Sequence, residues 1–156
     1  MYRDVPDPLL VTPGEGVGGI HVGGATPDDV LARFGGDAKI DRHADGVYQI
    51  NYDYRSTRKY DPRRDAQLSR PCKFEFEFGL LKAIEVGVYQ KALYTLGDVR
   101  IRSSRRDVIE VFGGAFVALA DGDRETLRYL DRGIELVIND HDDLGVVGFT
   151  VFRGRR

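Results

Sequence analysis

The chain has 156 residues, 23 of them basic and 25 acidic, for a net charge of −2. That length suits one globular unit. The 42% apolar content can fill a core, and the near-balance of charge speaks against a dedicated nucleic-acid binder. A lone cysteine, Cys72, rules out an internal disulfide, and no apolar run approaches the roughly 18 residues of a membrane helix.

Residues 1–17 read as an N-terminal extension without the basic start and apolar stretch of a secretory signal, so a cytoplasmic protein that engages no membrane is expected. The glycine run at 13–19 lacks the following helix of a phosphate loop, and that at 22–26 lacks its lysine and glycine spacing; both serve turns and close packing instead. Thr26 is placed to cap a helix, with Pro27 at its first position and Asp28 and Asp29 at the positive end of its dipole. Val30, Leu31 and Phe34 form its apolar face, and Gly35 stops it. The period then falls to two. Over 47–54, Tyr48, Ile50, Tyr52 and Tyr54 oppose Gln49, Asn51 and Asp53. Over 73–78, Phe74, Phe76 and Phe78 oppose Lys73, Glu75 and Glu77. After a turn at Gly79, Ile84, Val86 and Val88 oppose Glu85 and Tyr89.

The helical run from Asp29 to Gly36, DVLARFGG, returns as DVIEVFGG from Asp107 to Gly114, an offset of 78 residues and half the chain. Here Ser103 or Ser104 is the cap, Asp107 the first-turn acid, Val108, Ile109, Val111 and Phe112 the buried face, and Gly113 the stop. Strand periodicity follows in Leu127 and Tyr129, in Ile134, Leu136 and Ile138, and in Val147, Phe149 and Val151. The pattern predicts an α+β fold: two tandem helix-then-antiparallel-meander units, 18–92 and 93–156, with the helices covering one face of a continuous antiparallel sheet.

The run Gly23-Gly24-Ala25-Thr26-Pro27-Asp28-Asp29-Val30-Leu31-Ala32-Arg33-Phe34-Gly35, followed by aromatic strands, resembles the BamE/SmpA-like unit. Two such units in tandem resemble the layout of beta-lactamase inhibitory proteins. That resemblance implies a protein that binds and inhibits another protein; unlike those inhibitors, this chain has one cysteine.

The outward strand positions are the leading candidate site. Asp53, Glu75, Glu77, Glu85 and Glu135 are expected on the uncovered sheet face against Lys73 and Arg128, with Tyr89, Val137 and Phe152 adding apolar area. An acidic face dotted with aromatics suits a basic protein partner. A basic insertion at 55–71, with Arg58, Tyr60, Arg63 and Arg64 among its residues, has no equal in the second half and is a second candidate. The turn from Asn139 through Asp140, His141, Asp142 and Asp143 extends the acidic surface; its composition needs no metal to explain it. His21, His43 and His141 lie in unrelated contexts, no nucleophile elbow is present, and Cys72 reads as a buried, inert thiol. No enzyme activity, metal or cofactor is expected.

The function expected is therefore an immunity protein that binds a cognate bacterial toxin and covers its active site, as a monomer in a 1:1 complex without nucleic acid or membrane. The alternatives are a BamE-like scaffold or adaptor, and a small-ligand binder or enzyme with a pocket between the units.

Overall fold

Two short helices open with the same reciprocal cap. At α1 (Pro27–Phe34), the Asp29 N–H donates to the Thr26 hydroxyl at 3.3 Å, while the Thr26 N–H donates to the Asp29 carboxylate at 2.9 Å. At α2 (Arg105–Phe112), Ser104 and Asp107 make the same exchange at 3.1 and 3.2 Å. Each helix closes at a glycine with positive φ, 109° at Gly35 and 90° at Gly113. Only two side chains of each are fully buried, Val30 and Phe34, then Val108 and Phe112. Val111 is exposed, a correction to the expected apolar face: at 3.6 residues per turn it stands about 80° round the helix from the midpoint of Val108 and Phe112, on the flank of the buried stripe.

The structure, a computed structural model, describes residues 9–36, 38–43, 45–52, 71–87, 94–99, 102–139 and 145–154. Within them lie strands β1 (Leu9–Thr12), β2 (Gly16–Val17), β3 (Ile20–His21), β4 (Lys39–Arg42), β5 (Val47–Asn51), β6 (Lys73–Glu77), β7 (Leu80–Gly87), β8 (Tyr94–Thr95), β9 (Val117–Asp121), β10 (Arg124–Tyr129), β11 (Ile134–Asn139) and β12 (Gly145–Phe152). The large sheet runs β4-β5-β6-β7-β12-β11-β10-β9 and is antiparallel at every junction. A small sheet runs β3-β2-β1-β8.

This architecture corrects the α+β expectation of two helix-then-meander units whose helices cover a sheet face. The chain is mostly β: strand accounts for 50% of the described residues, and helix is confined to two eight-residue segments. The physical reason is size. An eight-residue helix is about 12 Å long, whereas eight strands roughly 4.8 Å apart span about 34 Å. Cover therefore also comes from the small sheet, which shares one apolar cluster with the large one through Val11, Val17 and Ile20, joined by Leu96 and Val99 just beyond β8. Residues 9–17, read from sequence as part of an extension, thus supply core side chains.

The inner face of the large sheet alternates as its sequence does. Ile50, Phe74, Phe76, Ile84, Val86, Leu127, Leu136 and Val151 are all buried. A bulge between Val137 and Ile138 changes the end of β12: Ile138 pairs with Val146 and Val137 with Gly148. Val147 becomes the extra residue and Val146 takes the buried place, a shift that strict alternation cannot foresee. Each helix–strand corner is tied by a tyrosine. The Tyr52 hydroxyl donates to the Gly35 carbonyl at 2.7 Å, and the Tyr129 hydroxyl donates to the Gly113 carbonyl at 2.9 Å. Burial raises the Tyr129 phenol pKa against the opposing pull of Arg105 and Arg132.

Candidate protein-binding surface

Pleating places Glu75, Glu77, Glu85 and Glu135 on the sheet face opposite the core, where each is half-buried. Each has a partner within the chain. Glu75 accepts from the Gln49 amide at 3.2 Å. Glu77 meets Lys82 at 3.0 Å, Glu85 meets Lys73 at 3.2 Å, and Glu135 meets Arg128 at 3.4 Å. Burial works to lower the Lys73 pKa, but the charge and hydrogen bond of Glu85 outweigh it and leave the ammonium above its ordinary value. The hydrogen bond and charge of Glu77 do the same for Lys82. Such half-exposed pairs contribute about 0–1 kcal/mol each, so an incoming charge can exchange with them at little cost. Phe152, on the same face, lies under the Arg128 guanidinium at 5.4 Å from its ring centre.

The most exposed large apolar side chain among the described residues, Phe78, lies at one end of this face beside Leu80. Glu77 pairs with Leu80, so Phe78 and Gly79 alone make the β6–β7 turn. Both have positive φ, 53° and 82°, as a tight two-residue hairpin turn demands. A bulky residue in the left-handed region is strained by about 1–3 kcal/mol. Phe78 is nevertheless 79% exposed and Leu80 55%. This corrects the expectation that Phe78 joins Phe74 and Phe76 inside: the strand ends at Glu77, and with it the alternation.

The β4–β5 turn supports the ring of Phe78. The Phe78 N–H donates to the Gly46 carbonyl at 3.3 Å. The ring lies so close over Gly46 that an added Cβ would sit 2.9 Å from its edge. The result is a strained aromatic on a glycine seat beside an exposed leucine, with the Glu77–Lys82 pair adjoining. Sequence reasoning missed both residues. The available signal was the turn itself: one glycine cannot close a hairpin alone, so its neighbour must leave the strand.

The remaining predicted site residues, Asp53, Arg58, Tyr60, Arg63, Arg64, Tyr89, Asp140, Asp142 and Asp143, lie outside the described residues. Cys72 is half-buried, with its Sγ donating to the Glu85 carbonyl at 3.1 Å. Among the described residues no group of three or more His, Cys, Asp or Glu could hold a metal, and no helix is long and apolar enough to cross a membrane.

No family model and no curated protein matches the chain. In fold it is similar to the crystal structure of an extracellular protein containing a SCP domain from Bacillus anthracis str. Ames, with a TM-score of 0.52 at 15% identity. The likeness covers 85% of this chain and 44% of that one, so the chain spans less than half the length of that protein. At this identity the likeness concerns the fold.

Proposed function

We propose that the chain is a non-enzymatic, protein-binding inhibitor of the immunity type, which acts in the cytoplasm and seats its β6–β7 tip on a cognate bacterial toxin. The observation that carries the reading is Phe78, a strained and exposed aromatic held in a fixed pose. Folding alone favours Asn or Gly at that position, and strain retained in a surface turn is a mark of a functional contact. Aromatic side chains ringed by polar contacts are the usual anchors of protein interfaces. The adjoining Glu75, Glu77 and Glu85 supply charge that steers a basic partner.

The test is capture from the producing organism's lysate with wild-type and Phe78→Asn chains, followed by co-expression with whatever is captured. The reading requires one stoichiometric partner whose toxicity the wild-type chain relieves. Phe78→Asn should weaken capture by at least tenfold, consistent with about 2 kcal/mol or more for an anchor residue. A partner held equally well by Phe78→Asn, or one without toxicity, would overturn it.

A further inference from the structure

The two edges of the large sheet are built differently. β4 carries charge at Lys39, Asp41 and Arg42, a usual guard against strand addition. β9 reads Val117-Ala118-Leu119-Ala120-Asp121, is exposed at all five residues, and carries no charge before its last. Val117 is 48% and Leu119 52% exposed. Among the described residues no strand pairs with its free edge.

The hydrogen-bonding phase of that edge follows from the turn beside it. Asp121 and Arg124 flank a two-residue turn, so their backbone groups bond to each other. Alternation then turns the groups of Val117 and Leu119 toward β10, and sends the N–H and C=O of Ala118 and Ala120 outward.

We propose that this edge receives a second copy of the chain, β9 against β9 antiparallel, about a twofold axis through Leu119. The register is self-complementary. Ala118 of each copy faces Ala120 of the other, and the outward groups of these residues make four backbone hydrogen bonds. Leu119 faces its own counterpart across a non-hydrogen-bonded pair. Asp121 faces Val117 of the second copy. Val117 pairs with Arg128, so each carboxylate stands in line with an arginine from the other chain. A twofold perpendicular to the sheet keeps both outer faces on one side. The chain's own β7–β12 junction already joins two four-strand stretches in this antiparallel manner. The inference stands apart from the toxin reading and replaces the expectation of a monomer.

Sedimentation equilibrium across a concentration series should show the 17.5 kDa mass doubling. Ala118→Pro removes an outward N–H and no ladder bond, so it should remain monomeric with an unchanged unfolding midpoint in dilute solution. A second pair of variants fixes the register in a Cys72→Ser background. Leu119→Cys should oxidise to a covalent dimer, because a non-hydrogen-bonded pair about 4.5 Å apart at Cα lies within disulfide reach. Val117→Cys should not, since it faces Asp121. A wild-type mass that stays at 17.5 kDa at every concentration overturns the proposal. So does an Ala118→Pro chain that dimerises like wild type, or a Val117→Cys chain that cross-links as readily as Leu119→Cys.

Discussion

The corner around α1 and the corner around α2 solve one problem with matching parts. Each has a hydroxyl–aspartate cap, a closing glycine, and a tyrosine hydroxyl on that glycine's carbonyl. In each, the last phenylalanine of the helix stacks on an aromatic ring of the sheet, Phe34 on Phe74 at 5.3 Å and Phe112 on Tyr129 at 5.4 Å. An arginine covers each phenylalanine, Arg33 at 4.9 Å and Arg132 at 5.8 Å. The anchoring differs. Arg33 donates to the Gly18 carbonyl and ties α1 to the small sheet, whereas Arg105 pairs with Glu125 at 2.7 Å and ties α2 to β10. The outer surfaces differ more: beyond α1 lie a charged edge strand and an aromatic tip, beyond α2 an apolar edge. Buried corners are constrained by packing and backbone satisfaction, while tips and edges answer to whatever meets them.

That contrast can be tested at four levels. Phe74→Ala should cost about 3–5 kcal/mol in chemical denaturation, in a single transition, because both corners belong to one apolar cluster. Two separate transitions would show that the corners fold independently. Phe78→Asn should move stability the other way, by about 1–2 kcal/mol, as relief of left-handed strain predicts; a lower melting temperature would mean that the ring is structural. Tyr52→Phe and Tyr129→Phe should each cost about 1 kcal/mol, and the double variant should equal their sum within about 0.5 kcal/mol if the corners do not share partners.

Titration gives the smallest effects. The Asp29 carboxyl is held below its ordinary value of 3.8 by the Thr26 backbone N–H and then by the Thr26 hydroxyl. Its stabilisation is present above that ordinary value and is lost as pH falls through the lower folded one. The Thr26 amide resonance should follow this loss, and Asp29→Asn should flatten it. Lys73 behaves oppositely. Its raised value means that the pair with Glu85 contributes fully below 10.5 and fades as pH climbs through the folded value. Glu85→Gln should remove that alkaline dependence.

The parts legible in sequence were those governed by near neighbours. Thr26, Asp29 and Gly35 announce a helix within ten residues, and Phe74, Phe76 and Ile84 alternate because one side of their strands is buried. The illegible parts depend on distant pairing. β1 to β3 are too short to show a period, and their burial arises from packing on strands far along the chain. β9 is exposed on both faces, so no alternation marks it as a strand. The acids of the sheet face were visible, but Lys82, the partner of Glu77, reaches it through a bulge between Glu75 and Phe76 that periodicity does not encode.

The place of β12 bears on how the chain is made. Among the described strands β12 lies farthest along the chain, yet it sits at the centre of the large sheet between β7 and β11. Until it emerges, β7 and β11 each hold an open side lined with Ile84, Val86, Leu136 and Ile138. β7, complete by Gly87, therefore waits with an unpaired edge while the chain from β8 to β11 is made, until β12 begins at Gly145. Such a waiting edge is open to pairing with another chain, and the arrival of β12 closes it.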